Sequence, residues 1–336
     1  MTYGLVAFGT AKGEKVAVKE VVAEYTEDVE RVLGYGYDHV HRAGGDVGLT
    51  DLAAEAGTAA LAAAGLQARD VDLLVLAVTD IAEYLYWDAA AAVAHRLGLR
   101  RAEAVLVDQG CVGGVTAFDA LAGRFATHPD YRTAVVIAAN RTAEAYWNRL
   151  GTHSLLFSDG AAAAVAVRGA RSLRWLASHA ETDGAYADFF RMDTGGAAEP
   201  FAPGGPVPAV RDAWDVMAHF DYDTERCTAF AEEIDDRTAR AVHRACKRAG
   251  VTEEDLRWLV LLNDNTRVLT AQADLVGVPV ERTNLCWAAQ NGHFGAADHL
   301  FVLASLHESG EPVAGDLVAL AANGRGMHWA SAILSW

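Results

Sequence analysis

Three side chains, far apart in the chain, are of types that could act as a nucleophile, a base and a carboxylate that orients the base. They are Cys111 in "AVLVDQGCVGGVTAFDAL" and the pair His293 and Asp298 in "NGHFGAADH". Cys111 stands between an apolar run and a helix-forming run. At such a strand-to-helix junction, free backbone N–H groups and the positive end of the helix dipole favour a thiolate. Gly110, Gly113 and Gly114 are poor helix formers, and they make sense where a substrate or another backbone must approach closely. His293 follows Gly292 just before a predicted helix. Asp298, five residues on and about a turn and a half into that helix, is within reach of the imidazole. Together the three point to covalent catalysis by a thiol with a base behind it. Taken singly, each is more often a buried thiol, a loop histidine or a solvated carboxylate. That ordinary reading is kept for Cys227, Cys246 and Cys286.

The elements that must position these groups follow an α/β pattern. "LTDLAAEAGTAALAAAGL" reads as a helix, "DLLVLAVT" as a buried strand, "WDAAAAVAHRLGL" as a helix and "AEAVLVD" as a strand. Next come the helix beginning at Cys111, the strand "TAVVIAANRT", and two strands in "THSLLFSDGAAAAVAV" joined at Ser158, Asp159 and Gly160. Residues 183 to 222, rich in proline and glycine, read as an irregular excursion. Beyond it the pattern returns: a helix, an AG step, a polar turn with an aspartate and an apolar strand recur 185 residues apart, across Gly65/Gly250 and Asp70/Asp255. "VPVERTNLCW", "AAQNGHFGAADHLFVLASLHESG" and "GDLVALAANGRGMHWASAILSW" then supply a further strand, helix and hairpin. The expectation is two related halves, 1–168 and 169–336, with their sheets stacked about a shared middle layer. That layer brings the helix starts after Cys111 and His293 to one pocket.

Bulk properties narrow the function. With 336 residues, 52% apolar and 22% charged, the chain is expected to be an ordered globular protein, either one large two-part domain or two domains packed together. A net charge of −17 argues against nucleic acid or an anionic membrane as partner. No run of 18 uncharged apolar residues occurs and the first residues lack a signal pattern, so a cytoplasmic location is expected. The four cysteines are widely spaced and form no cluster with histidine, so neither a metal site nor a disulfide framework is suggested. Arg240, Arg244, Lys247 and Arg248, with Arg237, make a basic stripe in "DRTARAVHRACKRAG", a candidate dock for an acidic carrier protein or a coenzyme A phosphate. In the closing hairpin, Gly324 and Gly326 flank Arg325. Their permissive backbone suits a turn whose amide, beside that of Cys111, forms an oxyanion hole.

The segments "VDQGCVGG", "THSLLFSDGAAAAVAV", "DLRWLVLLNDNTRVL" and "NGRGMHWASAIL", in this order over nearly the whole chain, resemble the β-ketoacyl-acyl-carrier-protein synthase III family of the thiolase fold. The resemblance implies a five-layer αβαβα architecture, a homodimer, and acyl loading onto Cys111 from coenzyme A or a carrier protein, with no permanently bound cofactor. Two departures bear on the reaction. Condensing members use Cys, His and Asn; here Leu262 occupies the His position of the "LNDN" segment, Asn265 and Arg267 match, and His293 stands where the Asn would be. A leucine cannot hydrogen-bond the enolate that decarboxylative condensation develops. His293 and Asp298 match instead a divergent branch that moves acyl groups in polyketide and antibiotic pathways, with Asp264 a second candidate for the carboxylate. The resemblance also places Arg267 near a carrier-protein surface, whereas the tryptophan that commonly holds the adenine of coenzyme A has no counterpart in "VERVLGYGYDHVHRAGG". The reading is therefore an acyltransferase acting through acyl-Cys111, with His293 deprotonating a hydroxyl, amine or thiol acceptor near its ordinary pKa of about 6.5. Its rivals are a condensing synthase and a catalytically silent partner of the same fold.

Overall fold

The computed structural model describes residues 2–202 and 217–336. Five strands form the first sheet in the order β5-β4-β6-β7-β1: β1 (Tyr3–Lys12), β4 (Leu73–Val78), β5 (Glu103–Asp108), β6 (Thr133–Asn140) and β7 (Gly160–Arg168). The second sheet runs β8-β11-β10-β9: β8 (Arg174–Thr182), β9 (Leu256–Val260), β10 (Leu317–Gly324) and β11 (His328–Ser335). One residue pair, Gly4 with Arg174, joins the sheets edge to edge. Each has the same local order, a parallel pair beside antiparallel strands, as a duplicated half requires. A separate ribbon pairs β2 (Glu14–Ala17) with β3 (His39–Arg42).

Among the described residues, seven principal helices complete the layers: α1 (Leu49–Ala63), α2 (Ala89–Arg96), α3 (Gly113–Thr127), α4 (Thr224–Ala249), α5 (Thr266–Val276), α6 (Leu285–Asn291) and α7 (Asp298–Ser309). Their ends follow from sequence: Asp88, Asp223 and Asn265 accept amides of the first turns of α2, α4 and α5, and α4 stops at Gly250 with φ +76°. α1 and α2 pack on the outer face of the first sheet, with Leu52, Ala56 and Val93 against Leu74, Leu76 and Ile137. α4 and α5 cover the outer face of the second, with Val242, Ala245 and Leu269 against Leu259 and Ala319. α3 and α7 lie between the sheets, where Val115, Phe118, Leu300 and Leu303 meet Leu73, Val136, Val318 and Leu320. This is the five-layer αβαβα arrangement. Every residue of β6 is buried, because a sheet covered on both faces has no wet side to alternate with.

Two strand expectations are corrected. Only β7 forms in "THSLLFSDGAAAAVAV"; the segment before it makes a single bridge, Phe157 with His293. "VPVERTNLCW" makes one bridge, Thr283 with Leu259, around a short helical turn at Val280–Arg282. In both, an apolar run is held by neighbours rather than by a ladder. Of the excursion over 183–222, residues 203–216 lie outside the described residues. The flanking parts pack Phe189 and Phe220 against Phe230 and Trp329.

Candidate functional site

The middle layer brings the two halves' helix starts into contact. β5 ends at Asp108, a single helical turn spans Gly110–Val112, and α3 follows at Gly113. In the second half a matching turn, Gly295–Ala297, precedes α7. A Cβ on Gly114 would collide with the carbonyl of Ala296, so the absent side chain is what lets the two turns touch backbone to backbone. Thr79, at the end of β4, accepts the Ala296 amide at 2.6 Å and pins the second turn to the first sheet.

Cys111 Sγ lies 3.1 Å from His293 Nε2, and His293 Nδ1 lies 2.6 Å from Asp298 Oδ2. His293 and Asp298 are fully buried, while Cys111 is partly exposed. Asp298 opens α7 rather than standing inside it, because the short turn takes up Gly295–Ala297. The imidazole is held by its own backbone: His293 N donates to Leu156 O, and Ser158 N donates to His293 O, both at 2.8 Å. Ser158 also donates from its hydroxyl to Asn291 O at 2.7 Å, and the buried Arg149–Asp159 pair, at 3.0 Å, anchors the turn beyond. The Phe157 ring stacks at a tilt on the imidazole, centroids 5.1 Å apart.

Burial pushes the His293 pKa down, but the charges of Asp298 and Cys111 outweigh it, so the imidazole holds its proton to a pH well above the ordinary histidine value. The expectation of a titration near the ordinary value is thereby corrected. It neglected that a thiol and a carboxylate flank the ring on both sides.

Asp264 is not the carboxylate on His293. It accepts the Asn265 amide at 2.7 Å and the Ser154 hydroxyl at 3.3 Å, and burial pushes its carboxyl up to about 6. Leu262, two residues earlier, is buried in the central core and offers the site no polar atom. Asn265 caps α5 through Val268 N at 3.0 Å.

The hairpin of β10 and β11 lies against the turn that carries Cys111. A Cβ on Gly324 would come within 3.2 Å of Cys111 N, and one on Gly110, whose φ is +62°, would come within 3.5 Å of Arg325 N. Arg325 reaches across to form an ion pair with Asp108. The basic stripe is partly engaged elsewhere. Arg240 pairs with Glu181 at 3.1 Å, and Arg248 donates to Ser178 O at 2.7 Å. No ion pair holds Arg244, Lys247 or Arg267 among the described residues. Among those residues no group of three His, Cys, Asp or Glu side chains is placed to hold a metal ion, and no helix is long and apolar enough to cross a membrane.

Ser158, Asp159, Thr79 and Asn263 position the site without having been singled out from sequence. Only the "SDG" turn carried a signal, as a turn. The others act through contacts 35 to 217 residues distant in the chain.

Comparison with known proteins places two family models on the chain: 3-oxoacyl-[acyl-carrier-protein (ACP)] synthase III over residues 107–184, and the C-terminal part of that enzyme over 246–336. The β-ketoacyl-[acyl-carrier-protein] synthase III of Rhodobacter capsulatus is 31% identical over 306 residues, covering 90% of this chain and 88% of the relative. That of Cereibacter sphaeroides is 30% identical over 324 residues, covering 94% and 93%. Among solved structures, the synthase III of Pseudomonas aeruginosa superposes with a TM-score of 0.80 at 27% identity, covering 100% of this chain and 98% of that one. ChlB3, described as an acyltransferase, shares the fold with a TM-score of 0.86 at 22% identity, covering 99% and 97%.

Proposed function

The chain belongs to the 3-oxoacyl-[acyl-carrier-protein] synthase III family, and from that premise we propose that it moves an acyl group from a coenzyme A or carrier-protein thioester, through acyl-Cys111, to a hydroxyl, amine or thiol acceptor. The single observation that carries the reading is the Cys111–His293–Asp298 line, 3.1 Å and 2.6 Å, in a site where the Leu262 position supplies no imidazole.

In the first half-reaction the Cys111 thiolate attacks the thioester carbonyl. The amides of Cys111 and Arg325 receive the developing oxyanion. The bond to the donor sulfur then breaks, and the His293 imidazolium gives its proton to that sulfur. Cys111 is now a neutral thioester, so one of the two charges that held the proton on His293 has gone, and the imidazole is left as a free base. In the second half-reaction the acceptor gives its proton to Nε2 as it bonds to the acyl carbon. Cys111 leaves as thiolate beside a renewed imidazolium, and the cycle closes. An acidic carrier protein would dock on Arg244, Lys247 and Arg267, the cations without an ion pair among the described residues. A pathway of polyketide or antibiotic assembly is the proposed setting.

Intact-mass measurement tests this. Incubation with acyl thioesters should add one acyl mass, lost in Cys111→Ala and discharged by the right acceptor. No adduct with any donor, or an adduct surviving Cys111→Ala, defeats it. A condensing reaction is the second reading, favoured by the relatives' names as β-ketoacyl synthases. It requires a β-keto product with a new carbon–carbon bond, from a malonyl or a non-malonyl nucleophile, and product analysis separates the two.

A further inference from the structure

Asp298 is the end of a hydrogen-bond relay whose direction can be worked out from one backbone amide. Leu261 N can only donate, and it donates to Asn284 at 2.9 Å, so that atom is the carboxamide oxygen. The other end of Asn284 is then its NH2, which donates to Leu261 O at 3.0 Å and to Asn263 at 2.7 Å. The Asn263 atom that accepts must be its oxygen, and its NH2 therefore points to Asp298 Oδ1 at 2.7 Å. Neither amide can flip without setting donor against donor.

Two further donors are fixed by the backbone: Phe294 N on Oδ1 and Asn263 N on Oδ2, each at 2.7 Å. A protonated Asp298 would need an acceptor for its own hydrogen. Of its four partners, three are obligate donors and only His293 Nδ1 could accept. Three N–H bonds to a carboxylate favour its charged form, so the shared proton belongs on the imidazole. Asn263, Asn284 and Asp298 are all buried from bulk solvent.

We propose that Asn263, oriented by Asn284, is a positioning residue that keeps Asp298 ionised and His293 protonated on Nδ1, so that Nε2 is the nitrogen that exchanges a proton with Cys111. This rests on reading Cys111 and His293 as the reacting pair. The other titratable groups around His293 are Cys111 on its turn, His299 beside Asp298 on α7, Asp264 after β9 and Tyr37, whose hydroxyl donates to Asn263 O at 2.6 Å. None of them contacts the Asn263 carboxamide through a hydrogen bond, so removing that carboxamide takes a bond from Asp298 and from Asn284 but from none of these groups.

The test is the titration of His293 by NMR in full-length protein with labelled histidine, in a Cys111→Ala background, with the His293 signal identified by its loss in His293→Gln. In the neutral ring the nitrogen shifts should report Nδ1–H with a bare Nε2. Asn263→Leu removes one donor from Asp298, concentrates its charge and should raise the His293 pKa by about one unit. Asn284→Ala, one bond further out, should raise it by less. An Nε2–H tautomer in the parent, or an unmoved or lowered pKa in folded variants, overturns the proposal. If Asn263→Leu does not fold, the tautomer of the parent and the Asn284→Ala shift still decide. The measurement needs no acyl transfer, so a protein that forms no acyl adduct yet shows this titration would sink the proposed function and leave the relay standing.

Discussion

At the scale of single residues, the proposed reaction gives one proton two holders in turn. In that scheme His293 keeps it while Asp298 and Cys111 both face the ring, and would surrender it to the donor sulfur as Cys111 is acylated. Discharge of a preformed acyl-enzyme should therefore be slow at acid pH, rise as His293 deprotonates, and level off above its pKa; rapid-quench measurement of acyl-enzyme decay against pH checks this. His293→Gln should slow discharge by roughly a hundred- to ten-thousandfold. Asp298→Asn turns an amide NH2 or a poorer acceptor toward Nδ1 and favours the wrong tautomer, with a loss on the order of a thousandfold or more, read from the same decay. The same pair sets a pH dependence of stability. His293 has a raised folded pKa, so its stabilisation is complete below the unfolded value of about 6.5 and disappears as pH climbs through the folded value. The difference in melting temperature between the protein and Asp298→Asn should accordingly be largest at mildly acid pH and shrink toward alkaline pH.

At the scale of elements, the decisive contact is between two helix starts. α3 carries glycine at both 114 and 123, and the two positions should respond oppositely to alanine. Gly114 faces the carbonyl of Ala296, so Gly114→Ala must push α3 and the turn before α7 apart, at a cost of roughly 1–3 kcal/mol and with Cys111 drawn away from His293. Gly123 has open space where a Cβ would stand, so Gly123→Ala should stabilise by about 0.5–1 kcal/mol. Denaturant melts of the two variants check both signs. The turn that carries His293 depends in the same way on the Arg149–Asp159 pair, in which both side chains are essentially without solvent. Removing only the arginine would leave that carboxylate with the amides of Ala43 and Thr142 and with Arg141 at 3.8 Å, and should cost about 3 kcal/mol, the low end for a broken buried pair.

At the scale of the whole molecule, β5 is the outermost strand of the first sheet, and nothing among the described residues pairs with its free edge. Leu106, on that strand, is 38% exposed, and a cavity of about 510 Å³ opens beside it, lined by Asp108, Asp119, His179, Arg248 and Ser331. His179 and Ser331 face one another across β8 and β11, and both hold buried polar atoms without a hydrogen-bond partner. An open edge with unsatisfied groups beside it invites a second chain. The proposed homodimer would close there. Light scattering should give twice the monomer mass, and Leu106→Asp should reduce it toward the monomer; a monomeric parent at micromolar concentration would dismiss this interface.

The sequence by itself determined the alternation of helix and strand, the duplicated halves and the neighbourhood of Cys111, because periodicity, glycine placement and a 185-residue repeat are local or self-comparing signals. It also brought His293 and Asp298 into view through their spacing. It could not choose between Asp298 and Asp264, which lie 34 residues apart and differ only in what surrounds them: one meets three N–H donors and the imidazole, the other a hydroxyl and its own neighbour's amide. Nor could it show that Phe157 bridges to His293, that Arg240 and Arg248 turn onto β8, or that two asparagines orient the carboxylate. Those were decided by tertiary structure alone, since hydrogen-bond direction and proton affinity depend on which groups burial brings within 3 Å, and burial joins residues that the chain keeps far apart.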